Sequence, residues 1–441
     1  MKIQPVKGTR DFYPPDMSVR NWIIDGWKKV SLRNGFEEYD GPIFEYLKMF
    51  QIKSGDEIVE QLFSLEDRGG RELALRPEIT PTLARMVNQQ INSLPKPIKW
   101  FSVPRLFRAE RPQKGRLREF FQWNVDIIGE DSVLADAETI FCAIDYLREV
   151  GLTADDIIVK ISSRKMLAAV LKAIGVPQKN LDSLYTVLDK KNKLPPDTFQ
   201  KLLIEQVSDK KMAAKIQAFM ETEQVSDIKK VVELNDEVEE ALDEQDDLIR
   251  YLTLMEVGEY CEFDPSIVRG LAYYTGIVYE IYDKKSELRA IGGGGRYDDL
   301  LKQFGGPDIS ATGFGIGDCV LEILLREKDL IDKEMTRRQL DFFVVPVGTQ
   351  TYDYPDGTVK STPEDEAIRL AAKLKKIGYR AESSYKSTGL SKQLKEASTR
   401  NAQKCIIIGE EFKDNQLVVK DMTTSEQKTI EVDRFFAELK S

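Results

Sequence analysis

The chain of 441 residues contains no histidine. Without an imidazole, Ser-His-Asp and Cys-His catalysis, HExxH zinc sites and a histidine general base are all excluded. Any chemistry must therefore use carboxylates, tyrosines, guanidinium groups, metal ions or groups of the substrate itself. Such groups act mainly by positioning the reactants and by stabilising charge.

Cysteine is scarce as well. The four cysteines, Cys142, Cys261, Cys319 and Cys405, are widely separated and form no CxxC pair. This spacing argues against a disulfide framework. With histidine absent, it also argues against a metal site built from protein histidine or cysteine. Scattered thiols are typical of a reducing compartment, so we expect a cytoplasmic protein.

Long apolar runs are missing too. No run reaches the roughly 18 residues of a membrane-spanning helix, so we expect no membrane span. The formal net charge of −10 does not indicate general affinity for nucleic acid, and we expect no DNA binding. Residues 386–404 are locally basic, however. A sequence-specific RNA-binding protein needs only such a face, although a short basic helix is usually just a solvated surface.

Arginine is concentrated in residues 105–126, which also contain strand-like aromatic positions. Pro112 and Gly115 favour a turn, so the pattern predicts two strands joined by a loop over Arg111–Arg116. Guanidinium groups on such a hairpin can bind phosphate in a bidentate manner. The alternative is a surface charge cluster.

Several further motifs occur in a fixed order along the chain. They are KGTRDF at Lys7–Phe12, LRPEIT at Leu75–Thr80, RGLAYYTGIVYE at Arg269–Glu280, GGGGRYD at Gly292–Asp298 and GFGIG at Gly313–Gly317. Together with the arginine-rich segment, this set resembles the histidyl-tRNA synthetases, a branch of the class II aminoacyl-tRNA synthetases. The resemblance runs from Lys7 to about Leu325, weakens between about 165 and 255, and resumes in the C-terminal hundred residues.

The resemblance implies an α+β catalytic domain with a mixed or antiparallel sheet over residues 1–326. Helical spacing predicts an all-helical insertion at about 165–255, and residues 327–338 read as a charged linker. Over residues 339–441, alternating strands and helices predict a small α/β domain with a mostly parallel sheet. In this family that position holds the anticodon-binding domain.

A helix at 17–34 and a strand-like segment ending at Gly41-Pro42 match the motif that forms the dimer interface in class II synthetases. We therefore expect a homodimer through the Trp22–Phe44 region. The alternative is an ordinary core helix and turn. Strands are predicted around 276–282 and 289–292, whereas the glycines at 292–295 indicate a tight turn or close approach of the backbone to a ligand.

The family resemblance assigns nucleotide contacts to several residues. It implies that Arg108 contacts the α-phosphate of ATP, Arg116 the β,γ end and Glu110 the adenine region. Arg269 lies opposite the α-phosphate in this family and shares the catalytic role with Arg108. In the GFGIG motif, Gly315 and Gly317 are the expected ATP contacts. The glycines of this motif either cradle adenine or ribose, or serve only to pack a strand against a helix.

The resemblance also implies a pocket for histidine. Neutral imidazole carries one donor and one acceptor, so its pocket needs an acidic acceptor and an amide or phenol partner. Alternation along a strand makes at least one of Tyr273 and Tyr274 a core residue. The full set of expected histidine contacts is Glu78, Thr80, Gln122, Asp126, Arg269, Tyr273, Tyr274 and Tyr297.

Three positions depart from the family pattern. Val320 stands where motif 3 of class II enzymes carries an arginine, Ala272 replaces a common Asp, and Asp126 is one methylene shorter than the usual Glu. These departures leave open the alternative of a non-catalytic, histidine-sensing paralogue that resembles the regulatory subunit of ATP phosphoribosyltransferase, although Arg108, Arg116 and Arg269 are all kept. Such subunits generally lack the C-terminal domain expected here.

The expected function is therefore a histidine–tRNA ligase. It would form histidyl-adenylate from histidine and ATP, with Mg²⁺ carried by ATP, and transfer the histidyl group to the 3′ end of tRNA(His). The basic stretch of the C-terminal domain is the predicted tRNA contact, through Lys386, Lys392, Lys395, Arg400 and Lys404.

Overall fold

The structure is a computed structural model. It describes residues 3–54, 62–191, 194–268, 274–285, 287–332, 340–353, 360–386 and 388–439. Its contacts divide the chain into two compact units, one of Met1–Asp11 with Arg20–Ile331 and one of Phe12–Val19 with Asp332–Ser441. Within the described ranges, no helix is both long enough and apolar enough to cross a membrane.

The first unit is built on a large mixed sheet. In chain order the strands of the first unit are β1 (Glu37–Glu38), β2 (Phe44–Tyr46), β3 (Ser64–Glu66), β4 (Glu72–Leu75), β5 (Ile98–Ser102), β6 (Arg105–Phe107), β7 (Glu119–Ile128), β8 (Ile157–Ser163), β9 (Cys261–Phe263), β10 (Ile277–Asp283), β11 (Gly292–Arg296) and β12 (Ala311–Gly317). The large sheet has the order β1-β5-β7-β12-β11-β10-β8-β9, with β6 also paired to β7. Its middle is antiparallel, and only β1 and β9 add in parallel at the two edges. This confirms the predicted mixed, largely antiparallel sheet. A separate small sheet has the order β2-β4-β3.

Helices of the first unit cover the large sheet and form a helical region. They are α1 (Pro14–Arg33), which belongs to the first unit from Arg20 onward, α2 (Leu47–Ser54), α3 (Thr80–Gln90), α4 (Val133–Glu149), α5 (Arg164–Ile174), α6 (Leu181–Leu188), α7 (Pro196–Val207), α8 (Lys210–Met220), α9 (Asp236–Leu254), α10 (Leu300–Gln303) and α11 (Asp318–Glu327). Helices α5 to α9 contribute to a hydrophobic core of their own. The predicted helical character of residues 165–255 is therefore confirmed.

An aromatic cluster joins α1 and α4 to the back of the large sheet. Trp27 of α1 stacks on Trp123 of β7 with ring centroids 6.1 Å apart, and Tyr146 of α4 packs edge-on against Trp123. The indole N–H of Trp123 donates to the Oγ of Ser31 at 2.8 Å. The apolar face of α1 is thus used inside the chain. Each of these aromatic rings buries a large apolar area, which makes the cluster a main anchor of the sheet.

The glycines at 292–295 do not form a turn. They form β11 in the middle of the large sheet, between β10 and β12, so the alternative of a tight turn is wrong and the strand predicted around 289–292 lies at Gly292–Arg296 instead. Glycine weakens a strand in isolation, but here hydrogen-bonded neighbours on both sides determine its conformation. A Cβ at Gly294 would overlap the carbonyl oxygen of Gly313 on β12. The neighbouring backbones approach so closely that only glycine fits.

The second unit contains the predicted α/β fold with a different sheet composition. Its elements are β13 (Leu340–Pro346), β14 (Tyr352–Asp353), β15 (Lys360–Ser361), α12 (Pro363–Lys376), β16 (Ala381–Ser383), α13 (Leu390–Thr399), β17 (Ala402–Ile408), β18 (Gln416–Asp421), β19 (Gln427–Glu431) and α14 (Val432–Glu438). The main sheet has the order β16-β13-β17-β18-β19. Its first two pairings are parallel and its last two antiparallel, so the prediction of a mostly parallel sheet is wrong. The connections between β17, β18 and β19 are too short for parallel crossovers.

Candidate active site

The register of the large sheet aligns polar side chains of β7 with glycines of β12 and β11. Asn124 is paired with Gly315, and Asp126 with Gly313. Gly315 and Gly313 are in turn paired with Gly293 and Gly295 of β11. Paired residues of antiparallel strands lie on the same face of a sheet. Together with Gln122, these carboxylate and amide groups therefore line one face that is otherwise bare backbone.

We call the bare surface formed by Gly293, Gly295, Gly313, Gly315 and Gly317 the glycine floor. A Cβ at Gly313 would overlap the Oδ1 of Asp126, and one at Gly315 would lie 2.9 Å from the side-chain amide of Gln122. Glycine at these positions leaves room for both side chains. It also lets a ligand approach the backbone closely. The glycine floor is thus both a packing requirement and a possible binding surface.

Two tyrosines close one end of the glycine floor. The hydroxyl of Tyr297 donates to the Oδ1 of Asp126, and both side chains are buried. Tyr274 packs over Gly295, where a Cβ would lie 3.0 Å from the tyrosine ring. Tyr274 also belongs to a hydrophobic core cluster with Tyr297. The structure therefore brings three of the predicted histidine contacts together, and it supports the expectation that one tyrosine of the pair at 273–274 is a core residue.

The arginine-rich hairpin reaches the same face of the sheet. Strand β6 pairs with β7 in antiparallel fashion, as predicted, and a short bridge between Gln113 and Arg116 closes the loop. Arg108 lies over the ring of Phe120 at 5.1 Å, and its Nε donates to the carbonyl of Pro77 at 3.2 Å. Because Phe120 and Gln122 are two residues apart on β7, this places Arg108 on the side of the glycine floor.

The two remaining hairpin residues of the predicted ATP site contact each other. Nη1 of Arg116 lies 2.5 Å from Oε2 of Glu110. The family resemblance implies separate roles for them, one at the β,γ-phosphates and one near adenine. The structure makes them a half-buried ion pair, which orients the guanidinium group.

The remaining predicted residues of this site are Glu78, Thr80, Gly317, Arg269 and Tyr273. Glu78 and Thr80 are half-buried around the start of α3, directly after the Pro77 carbonyl that Arg108 contacts. Gly317 ends β12 beside open space. Arg269 and Tyr273 lie outside the described residues.

Arg10 and Arg76, for which no individual role was predicted, hold the site together. Arg10 of the KGTRDF motif donates to Asp318 at 2.5 Å, and the backbone N–H of Phe121 donates to the same buried carboxylate at 3.0 Å. This contact ties the start of α11 to β7. Arg76 of the LRPEIT motif is 2% exposed and donates to Asp40 at 2.7 Å and to nearby carbonyls. The KGTRDF and LRPEIT motifs could have pointed to these two arginines, but nothing in the sequence indicated which carboxylates they bind.

An additional ion pair lies beneath the RYD part of the GGGGRYD motif. Arg296 donates to Asp136 of α4 through Nε at 2.9 Å and Nη2 at 2.6 Å. Burial raises the pKa of Asp136 to about 6, although the Arg296 charge acts in the opposite direction. Arg296 is therefore a structural residue that clamps β11 to α4 behind the site.

In the second unit, the basic residues of 386–404 occupy different environments. Lys386, Lys392, Lys395 and Lys404 are exposed. Arg400 instead pairs with Glu382 at 2.5 Å and with Glu396 at 2.7 Å. Its charge is thus largely neutralised within the unit, whereas the lysines remain available at the surface.

Comparison with known proteins finds matching families for both parts of the chain. A family model described as "Histidyl-tRNA synthetase" matches residues 8–317, and one described as "Anticodon binding domain" matches residues 341–441. The chain is 39% identical over 430 residues to "Histidine--tRNA ligase, chloroplastic/mitochondrial" of Arabidopsis thaliana, covering 96% of this chain and 84% of that protein. It is 36% identical over 426 residues to "Histidine--tRNA ligase" of Opitutus terrae, covering 96% and 94%.

A solved structure supports the fold. The crystal structure of histidyl-tRNA synthetase from Nostoc sp. PCC 7120 superimposes with a TM-score of 0.81 at 21% identity, covering 100% of this chain and 99% of that one. The antiparallel sheet, the arginine-bearing hairpin and the glycine strand before α11 define a class II aminoacyl-tRNA synthetase. Within that class, the family-model match and the relatives show that the chain belongs to the histidyl-tRNA synthetase family.

The glycine floor yields a test of the pocket. We predict that Gly313→Ala weakens histidine binding, because the new methyl group would displace the Asp126 carboxylate. A hydrogen bond to a charged group is worth about 1.5–3 kcal/mol, so KM for histidine should rise about tenfold or more in ATP–pyrophosphate exchange. Gly389→Ala is the matched control, since a Cβ there meets nothing within 4 Å. An unchanged KM in Gly313→Ala would contradict this account of the pocket.

Proposed function

We propose that this chain is an active histidine–tRNA ligase whose adenylation site is the glycine floor and its rim. The observation that carries the proposal is the convergence of Arg108, Gln122 and Asp126 on one bare face of the sheet. Cations for phosphate and acceptors for a ligand ring thus meet at a surface that a substrate can approach closely. The protein is an ATP-dependent aminoacyl-tRNA ligase, and a histidine-sensing paralogue is not favoured.

In the first step, a carboxylate oxygen of histidine attacks the α-phosphorus of ATP. The bond from that phosphorus to the bridging oxygen breaks, and pyrophosphate leaves with the electron pair. Arg108 and Arg269 stabilise the charge that develops at the α-phosphate, and Arg116 binds the β,γ end. One preorganised donor at a developing charge is worth about 3–4 kcal/mol, so no imidazole base is needed. ATP would carry Mg²⁺ as part of the substrate, and the ion would neutralise part of the phosphate charge.

In the second step, a ribose hydroxyl at the 3′ end of tRNA(His) attacks the carbonyl carbon of the adenylate. An ester bond forms, AMP leaves and the hydroxyl proton is released. The backbone of Gly315 and Gly317 holds the adenosine part of the adenylate, and Glu110, placed near adenine, also orients Arg116 through their ion pair. These groups position the reactants, and positioning is the contribution that a chain without histidine can make.

Histidine is selected by hydrogen bonding. Asp126, oriented by the Tyr297 hydroxyl, accepts the ring N–H, and Gln122 or Glu78 completes the polar pocket with Thr80, Tyr273 and Tyr274 around it. A site that hydrogen-bonds its substrate rejects an analogue without those groups, because buried polar atoms would be left unpaired.

The decisive test is ATP–pyrophosphate exchange with each amino acid in turn. We expect histidine to exceed every other amino acid by roughly four orders of magnitude in kcat/KM, the ratio typical of polar recognition. Histidine binding without exchange would support the sensor, and exchange driven by another amino acid would overturn the substrate assignment.

We further propose a homodimer, working in the cytoplasm, through the Trp22–Phe44 region and the small sheet of the first unit, which begins at Phe44. Ile43, Phe44, Tyr46 and Leu65 are each about half exposed there. The pairing of Tyr46 and Leu65 with the same residue of β4 places these two side chains on one face. An apolar row of this kind is typical of an interaction surface. The buried thiols are consistent with the compartment, since burial raises the pKa of Cys405 to about 11 and keeps it unreactive.

The dimer is tested by charge insertion. The double variant Phe44→Asp, Tyr46→Asp should sediment as a monomer at micromolar concentration, because two carboxylates would have to be desolvated in the interface. Ile368→Asp, at a comparably exposed apolar position of the second unit, is the control and should leave the mass unchanged. A wild-type chain that is itself monomeric would defeat the proposal.

We also propose that residues 1–326 form the catalytic domain, residues 327–338 a linker, and residues 339–441 the domain that binds tRNA. Support comes from four exposed lysines of the second unit, Lys386, Lys392, Lys395 and Lys404. Lys392 and Lys395 are three residues apart on α13, so they share a helix face. Arg400 belongs to the predicted set, but its ion pairs make it the weakest candidate.

Charge reversal separates the two activities. Lys386→Glu, Lys392→Glu and Lys395→Glu together should raise KM for tRNA about tenfold or more, because lysine–phosphate contacts dominate such affinity. Histidine-dependent pyrophosphate exchange should not change. Lys375→Glu with Lys376→Glu, exposed on α12, is the control. Equal tRNA charging by the triple variant and the wild type would refute the assignment.

A further inference from the structure

Val320 cannot supply a phosphate contact in this chain. It occupies the motif 3 position that carries an arginine in other class II enzymes, and it is 7% exposed. A Cβ on Gly115 would lie 2.9 Å from its Cγ2. Val320 therefore packs beneath the hairpin loop, and one cation of the usual ATP site is missing at this position.

A different arginine lies near the same loop. Arg289 stands shortly before β11, and the chain there is held next to α11, because the N–H of Gly317 donates to the carbonyl of Ile291 at 3.2 Å. Gly317 is paired on its other side with Gln122 of β7. The segment that carries Arg289 thus approaches the glycine floor at the end where the hairpin and α11 meet.

The charge of Arg289 interacts with the Arg116–Glu110 ion pair across this end of the sheet. Partial desolvation and the nearby Arg116 charge lower the pKa of Arg289, while Glu110 acts in the opposite direction. A guanidinium group still remains protonated at neutral pH. Two guanidinium charges therefore lie within electrostatic range of one carboxylate, with which only Arg116 forms an ion pair, and this excess of positive charge favours binding of a further anion.

Arg289 is also accessible to such an anion. Its side chain is exposed, and within the part of the chain that the structure describes it forms no hydrogen bond or ion pair. The Arg10, Arg76 and Arg296 guanidinium groups, by contrast, are committed to carboxylates of the scaffold. A held but unpaired guanidinium group next to a phosphate-binding hairpin has the geometry of a ligand contact.

We propose that Arg289 binds the β- and γ-phosphates of ATP together with Arg116, in place of the missing motif 3 arginine. This role rests on the proposed adenylation activity. The contact holds the departing pyrophosphate in line while the bond between the α-phosphorus and its bridging oxygen breaks. It also explains how a chain with Val320 keeps a complete set of phosphate contacts.

The test compares ligands with and without the outer phosphates. In Arg289→Ala, KM for ATP and for pyrophosphate in histidine-dependent exchange should each rise about 10- to 100-fold, the effect of losing one charge-assisted contact. The Kd of histidyl-sulfamoyl-adenosine, a stable adenylate mimic that lacks β- and γ-phosphates, should stay unchanged. Arg289→Lys should recover part of the loss, because ammonium keeps the charge without the planar fork.

Two controls separate the possible failures. Lys285→Ala removes another exposed cation of the same segment and should match the wild type. If Arg289→Ala keeps normal KM values, or loses affinity for the adenylate mimic to the same extent, the role of Arg289 is refuted. If the wild-type chain neither exchanges pyrophosphate nor binds the mimic, the proposed function itself fails.

Discussion

The close approach of the backbones of β7, β12 and β11 is the constraint on which the site depends. A Cβ at Gly294 would overlap a carbonyl oxygen of β12, and one at Gly313 would lie 2.5 Å from the carbonyl oxygen of Val125. Steric exclusion therefore requires glycine on the two inner strands. The same exclusion leaves one face without side chains, so the polar groups of β7 have space above it. The close approach of the backbones thus determines both how the strands pack and how much space a ligand has above them.

Arginine serves two purposes in this chain, and burial separates them. Arg10 and Arg296 bind buried carboxylates, and the buried Arg76 guanidinium binds the exposed Asp40, so that all three join distant segments of the scaffold. Breaking a buried pair of this type leaves an uncompensated charge, which typically costs about 3–5 kcal/mol. Arg108 and Arg116 remain partly exposed at the hairpin. A scaffold held by the first group can present the second in a fixed geometry, which is what catalysis by positioning requires.

Local chemistry explains which elements were predictable. Thr362 and Pro363 are residues typical of a helix start, and the structure has a capping box with Asp365 at the start of α12. The hairpin after β6 followed from Pro112 and Gly115, whose effect on the backbone is local. Strand β11 was not predictable in this way. Its glycines have no preference for extended structure, and their conformation comes from β10 and β12, which are distant in sequence.

The ordered motifs were sufficient to indicate the family, and the absence of histidine was sufficient to restrict the kind of chemistry. It also indicated Asp126, Gln122 and Tyr297 as neighbours of one pocket, because their motifs carry that implication. The roles of Arg296 as a scaffold residue and of Glu110 as the partner of Arg116, and the influence of both hairpin charges on Arg289, became visible in the folded chain alone. Those outcomes depend on which strands become adjacent. Strand adjacency arises from packing between distant segments, and no local pattern of residues encodes it.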